Sequence, residues 1–294
     1  MRNKCYFITL IIHSTLLFFL LGRISVQAAA PQDALVVQGK SYRMLFDRET
    51  GGLCGVYSEL THQWLVEEGA PRGVFALSLK EPGLGKEVVK RRIVNAALDS
   101  QTLTETSARQ QILRQRYALS GGEGMVDVEI SIDASKPYCV WSLQIENRTG
   151  LDIYEVEFPI VSKVSPLPGG ELMLRGGAYH IQESPFQLGS LRDAFPSRIP
   201  FPILDIYAAE GGGGLFLIDQ DTSLQRTEIC VAKEDRRMFL SKSIRVANGT
   251  DCKIPGKVLF GVHTGDWHYA ANLYRDFLTA NFPQPKAPEW LEAF

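Results

Sequence analysis

Residues 126–133 alternate without a break: Val126, Val128, Ile130 and Ile132 are apolar, and Asp127, Glu129, Ser131 and Asp133 are polar. Successive side chains of a strand point to opposite faces, so a period of two predicts a strand with one buried and one wet face. The pattern returns at Cys139-Val140-Trp141-Ser142-Leu143-Gln144-Ile145-Glu146, and again where Val156, Phe158 and Ile160 alternate with Glu155, Glu157 and Pro159. Strands of this kind pair antiparallel, because parallel strands are covered on both faces and read as continuous apolar runs. Further strands are predicted at 41–46, 52–58, 74–80, 111–119, 203–208, 215–218, 227–231, 238–246 and 257–263. Turn clusters separate them, such as Glu49-Thr50-Gly51-Gly52, Asn147-Arg148-Thr149-Gly150 and Ala247-Asn248-Gly249-Thr250. Helical periodicity is nearly absent before residue 265. The fold class is therefore all-β and mainly antiparallel: a large β-sandwich or supersandwich with one C-terminal helix. The longest irregular stretch, 166–202, carries Pro166, Pro168, Pro185, Pro196, Pro200 and Pro202 and reads as a long loop that is disordered, functional or covered by another domain.

The N-terminus sets the expected compartment. Arg2 and Lys4 form a short positive region, Tyr6 to Leu21 an apolar core, and Val26-Gln27-Ala28 a small-residue cleavage signature. Residues 1–28 thus read as a secretory signal peptide, cut after Ala28 or Ala30. A membrane anchor fits less well: His13-Ser14-Thr15 interrupts the apolar run, which falls short of the roughly 20 residues a spanning helix needs. The mature chain is expected to be secreted or periplasmic, with no membrane partner after cleavage. Its remaining residues suffice for one large domain, placed at 31–264. The 31 basic and 33 acidic residues give a net charge of −2, with no basic run and no basic-aromatic interleaving, which offers no case for nucleic acid. A neutral polymer such as a glycan or oligosaccharide fits that balance.

Past the leader the cysteines are Cys54, Cys139, Cys230 and Cys252. An oxidising destination permits one or two disulfides among three pairings, and sequence does not choose between them. Cys139 alternates with Trp141, Leu143 and Ile145, the position of a buried core thiol. The spacings include no C-x-x-C, so neither a zinc ribbon nor a redox motif is expected.

Catalytic signatures are sparse. Asp219 and Asp221 would project to one side of a strand end, as an acid/base or metal pair would, but they read better as turn-forming residues after Ile218. An EF-hand start at Asp219-x-Asp221-x-Ser223 fails because Leu224 stands where glycine is needed and Cys230 where glutamate is needed. His263 and His268, five residues apart, would diverge on a helix and make no zinc pair. There is no G-x-S-x-G elbow, and Gly211 to Gly214 lacks the Lys-Ser/Thr of a phosphate loop and reads as a flexible turn. No catalytic residue, metal ligand set or cofactor is assigned. The best candidate for a polar site is His180 in the long loop, with Arg175, Asp193 and Phe186 as the other substrate-contact candidates; Glu183 and Arg192 lie close by in sequence. Tyr179, Phe186 and Phe195 are the aromatics that would stack on sugar rings if exposed.

The one predicted helix follows Gly265. Asp266 is a good N-cap, Trp267, Ala270, Ala271, Tyr274, Phe277 and Leu278 share an apolar face, and Arg275 and Asp276 point away. Asn281-Phe282-Pro283 stops it, and Trp290, Leu291 and Phe294 lie beyond. Gly265-Asp266-Trp267, Ala270-Ala271-Asn272-Leu273-Tyr274-Arg275 and Pro288-Glu289-Trp290-Leu291 resemble the segment leading from an N-terminal sandwich into a (β/α)8 barrel. The family concerned comprises secreted, glycoside-hydrolase-like bacterial proteins, largely described as a domain of unknown function. Phe46-Asp47-Arg48-Glu49-Thr50-Gly51-Gly52-Leu53 is similar to the opening hairpin of galactose-mutarotase-like supersandwiches. Residues 141–159 resemble their central strand pair, and 200–221 the pair before the linker.

That resemblance implies a non-catalytic, carbohydrate-associated sandwich at 31–264. Residues 265–294 would be the linker and start of a barrel not contained in this chain, with Asp266, Trp267, Tyr274, Arg275 and Trp290 as linker residues. A stand-alone carbohydrate-binding module and a mutarotase-like sugar epimerase are the alternatives. The epimerase's histidine and glutamate find no matching motif here.

Overall fold

A computed structural model describes residues 34–81, 91–94, 96–119, 124–176 and 181–283. All of them belong to one unit, Asp33–Phe294. The expected signal peptide, His180, Tyr179 and Trp290 lie outside the described residues.

Twenty strands form three antiparallel sheets among the described residues. In the four-stranded sheet β1 (Ala34–Gln38), β2 (Tyr42–Asp47), β3 (Leu53–Ser58) and β4 (Gln63–Val66) follow one another as a meander. The six-stranded sheet runs β14 (Leu191–Phe195), β17 (Thr227–Ala232), β18 (Arg237–Lys242), β11 (Asp152–Val161), β5 (Ala76–Lys80), β6 (Arg91–Val94). The ten-stranded sheet starts with β13 (Ile181–Glu183), β12 (Glu171–Arg175), β15 (Ile203–Ala208), β16 (Gly214–Asp219) and β20 (Val258–His263). It continues through β10 (Tyr138–Asn147), β9 (Gly124–Asp133), β8 (Gln110–Ala118) and β7 (Ala97–Ser107), and β19 (Asp251–Lys253) also pairs with β10.

The alternation read from sequence sets the packing. Val126, Val128, Ile130 and Ile132 of β9, with Cys139, Trp141, Leu143 and Ile145 of β10, face the main core. All three sheets meet at Trp141, whose ring lies 6.0 Å from Phe46 of β2, 5.9 Å from Phe158 of β11 and 6.1 Å from Phe260 of β20. Strands β15, β16 and β20 are buried along their whole length. Leu204, Leu215, Leu217 and Phe260 enter the main core from one side. On the other, Ile203, Tyr207, Phe216, Ile218 and Leu259 pack under the helix α1 (His268–Asn281), which contributes Ala270 and Tyr274. That double burial is why these strands are largely apolar, with Asp205 of β15 and the terminal Asp219 and His263 as the polar exceptions.

The all-β supersandwich and its C-terminal helix are as expected, and β2–β3 and β15–β16 pair as the resemblance implies. Other expectations are corrected. Residues 141–159 are no strand pair: β10 and β11 lie in different sheets, and the chain crosses between them at 148–151. The stretch 166–202 is not a long loop, since β12, β13, a short 3-10 helix (Pro185–Gln187) and β14 occupy much of it. Its prolines punctuate short elements instead of preventing them. Strand β7 escapes the sequence reading because it is an edge strand, exposed at most positions. The strand predicted at 238–246 ends at Lys242.

The cysteines are free thiols, so none of the permitted disulfides forms among them. Cys54, Cys139 and Cys230 are buried and Cys252 is half-buried. Burial pushes the Cys54 thiol up to about 11 and that of Cys139 to about 12. Thiolates react and thiols do not. In native protein Cys252 should therefore react with an aromatic disulfide reagent first, with Cys54, Cys139 and Cys230 following only after denaturant is added. Prompt native labelling of Cys139 would contradict this packing.

Candidate functional site

The outer face of the six-stranded sheet concentrates paired charges. Glu155 and Glu157 are two apart on β11 and so share a face. Arg192 reaches them from β14, Glu228 from β17, Ser241 from β18 and Arg92 from β6. The Glu157 side chain is only 3% exposed, yet both its oxygens are satisfied. Arg92 grips them as a fork, Nη1 to Oε1 at 2.9 Å and Nη2 to Oε2 at 2.6 Å, and Arg192 Nη2 donates to Oε1 at 3.1 Å. Arg192 Nη1 also donates to Glu155 Oε1 at 2.8 Å and Glu228 Oε2 at 3.3 Å, so one guanidinium bridges three carboxylates. Ser241 Oγ adds a 2.6 Å bond to Glu155, and Arg226 Nη2 a 2.9 Å bond to Glu228.

This arrangement favours the anionic form of Glu155. Burial raises the Glu155 carboxyl, but the hydrogen bonds from Ser241 and Arg192 and the charges of Arg192 and Arg92 outweigh it and hold it below the usual range. The Glu157 fork, with burial working against it, holds the Arg92 guanidinium above its ordinary value. A general acid needs a carboxyl raised toward the working pH, and Glu155 is moved the other way. What the face offers is fixed hydrogen-bond donors and acceptors. Beside them Ala76, Ile160, Cys230, Ala232 and Phe239 form an apolar patch. A cleft of about 280 Å³ opens here, lined by Arg92, Glu157, Ser190, Arg192, Arg237 and Phe239 among others.

The sequence-derived candidates lie elsewhere. Arg175 and Asp193 do meet, as an ion pair tying β12 of the ten-stranded sheet to β14 of the six-stranded one. Phe186 and Phe195 are 3% and 7% exposed and belong to the main core, so the expectation that they stack on sugar is corrected. The Arg236 guanidinium covers the Phe186 ring at 4.2 Å. Sequence reading named Arg192 only as a neighbour of His180 and missed Arg92 and Glu228; the signal within reach was the polar alternation of Glu155 and Glu157.

Asp219 and Asp221 also change role. Asp221 is turn-forming as expected, its Oδ1 accepting from Ser223 N–H at 2.8 Å and Ser223 Oγ at 2.6 Å. Asp219 is instead a buried ion-pair partner of Lys242, at 2.8 Å. A wider groove of about 440 Å³ crosses the outer face of β7–β10, but its charges are cross-strand pairs such as Arg114–Glu129, 53% and 41% exposed, and behave as a solvated face.

Under α1 lies a buried pair that the sequence did not announce. His263 Nε2 is 3.0 Å from Asp205 Oδ1, and Nδ1 is 3.1 Å from the Thr264 carbonyl. Both ring nitrogens face acceptors, which favours the doubly protonated imidazolium. Tyr269 of α1 stacks on the ring at 5.9 Å and 4°. Burial opposes the charge, but Asp205, aided by the Thr264 carbonyl and Asp266, raises the His263 pKa above its ordinary value. Burial also raises Asp205. Both shifts mean that the folded chain holds protons more tightly than the unfolded one. The stability His263 contributes is then full below about pH 6.5 and is lost as pH rises through its folded pKa. Wild type should exceed His263→Gln in stability by a margin that shrinks between pH 6 and pH 9 in urea titrations; a margin widening with pH would contradict the assignment.

The expected linker residues sit at the start and along the body of α1. The N-cap is Trp267, not Asp266 as expected; Asp266 sits one residue earlier, its Oδ1 accepting from His268 N–H at 3.1 Å and facing His268 Nδ1 at 2.7 Å. Tyr274 is buried against Phe201 at 5.7 Å, Trp267 packs at the edge of the same cluster, and Arg275 is exposed.

No protein-family model matches the chain, and no curated protein matches it by sequence. Solved structures do match. An alpha-galactosidase from Lactobacillus brevis aligns at 10% identity over 83% of this chain and 41% of that one, with a TM-score of 0.58. An alpha-galactosidase from Geobacillus stearothermophilus aligns at 8% identity over 85% and 43%, with a TM-score of 0.54. An alpha-N-acetylgalactosaminidase from Bifidobacterium bifidum aligns at 12% identity over 84% and 39%, with a TM-score of 0.54. At these identities the likeness is one of fold, and the chain spans less than half the length of each enzyme.

Proposed function

We propose that this chain is the carbohydrate-associated, non-catalytic sandwich of an exported glycoside-hydrolase-like protein, supporting and partly walling a barrel that carries the reaction. The observation that carries this reading is the asymmetry of the fold match, 83% of this chain against 41% of the Lactobacillus brevis enzyme. The sandwich is what the proteins share, and more than half of the enzyme lies outside it. The polar face around Glu155, Glu157 and Arg192 adds to the case, because its carboxylates are tied up in arginine ion pairs and Glu155 is held below the usual carboxylate range. Helix α1 would carry the chain from sandwich to barrel. Export rests on residues 1–28, with their positive start, apolar core and small-residue cleavage signature.

Reading the coding frame beyond codon 294 tests the barrel. Alternating strand and helix patterns are expected there, and an immediate native stop codon would remove this part of the reading. The paired polar face supports a stand-alone binding module as the second reading, which that stop codon would favour.

A further inference from the structure

The cleft on the six-stranded sheet carries one more positive charge than its partners neutralise. Arg92, Arg192 and Arg237 line the cleft, and the first two pair with Glu155 and Glu157, while Glu228, also bonded to Arg192, is matched by Arg226 outside the lining. Arg237 is the surplus. It lines the cleft, it forms no ion pair with any described residue, and its Nε is buried without a hydrogen-bond partner. A buried donor left unpaired costs free energy that a ligand acceptor would restore. Glu157 does not compete for it, because Arg92 and Arg192 already occupy both of its oxygens.

We infer that this cleft binds an acidic sugar, with the Arg237 guanidinium taking the ring carboxylate of a uronate. The inference rests on the carbohydrate-associated reading above. A planar guanidinium matches a carboxylate with two parallel hydrogen bonds. One surplus positive charge matches one carboxylate, whereas a phosphate dianion would leave the cleft negative. Ser190, exposed at the cleft, remains for ring hydroxyls. At about 280 Å³ the cleft lies at the small end of ligand sites, the scale of one sugar residue.

Affinity electrophoresis in gels containing polygalacturonate or neutral β-1,4-galactan tests this. Wild-type protein should be retarded by polygalacturonate more than by galactan, and Arg237→Gln should weaken that retardation about tenfold or more. Arg114→Gln makes the same change of net charge at an exposed cross-strand pair of the ten-stranded sheet and should leave it intact. Arg237 is partly exposed, so an unchanged unfolding midpoint is expected to show that Arg237→Gln still folds. Equal retardation by both polymers, or polygalacturonate retardation that survives Arg237→Gln, overturns the uronate assignment while leaving sugar association standing. Retardation by neither polymer overturns both.

Discussion

Lys242→Ala should destabilise the protein by about 3–5 kcal/mol, the largest loss expected from any single charge removal. Its ammonium lies between the sheets, 4% exposed, 2.8 Å from Asp219 Oδ2 and 3.5 Å from Asp221 Oδ2. It also donates to the Pro255 carbonyl at 2.6 Å. Asp219 is 1% exposed and takes a further 2.7 Å bond from Thr227 Oγ1. Burial raises the Asp219 carboxyl, and Lys242 is the largest influence working in the opposite direction. Without the ammonium, Asp219 must be buried as an uncompensated anion or take up a proton, and either course costs stability. Lys242→Met should lose a comparable amount despite its similar bulk, because volume is not what is missing. Adding Asp219→Asn to Lys242→Met should recover part of the loss. Urea denaturation of the two single variants and the double variant closes the cycle; additive losses would show that the pair is not coupled.

Trp141→Ala should cost about 3–5 kcal/mol through cavity formation. The ring is fully buried and touches aromatic side chains from all three sheets, so its loss opens a void that no single sheet can close. The indole Nε1 also donates to Cys139 Sγ at 3.0 Å. Trp141→Phe keeps most of the volume and should lose markedly less. A thermal unfolding series over the two variants checks the order, and equal losses would mean that the nitrogen contact, not the volume, dominates.

The fold was legible where a strand has one wet face. Strands β9 and β10 announce themselves by alternation, and β15, β16 and β20 by short apolar runs bounded by glycine and proline. Sheet membership was not legible, because nothing between Glu146 and Asp152 says that the chain changes sheets there. The polar face was half legible. Glu155 and Glu157 alternate visibly, but their partner Arg192 lies 37 and 35 residues away from them and Arg92 lies 65 from Glu157, so only the fold brings them together. His263 and Asp205, 58 residues apart, stayed hidden for the same reason. Phe186 misled because prolines on either side made its segment read as exposed loop, whereas a short 3-10 helix tucks the ring into the core.

As the non-catalytic sandwich proposed above, this chain should support sugar chemistry without performing it. The most direct measurement is steady-state release of nitrophenol from 4-nitrophenyl α-D-galactopyranoside by the purified chain. A rate indistinguishable from buffer at every protein concentration is expected. Release that rises in proportion to protein and disappears in Glu157→Gln would contradict it.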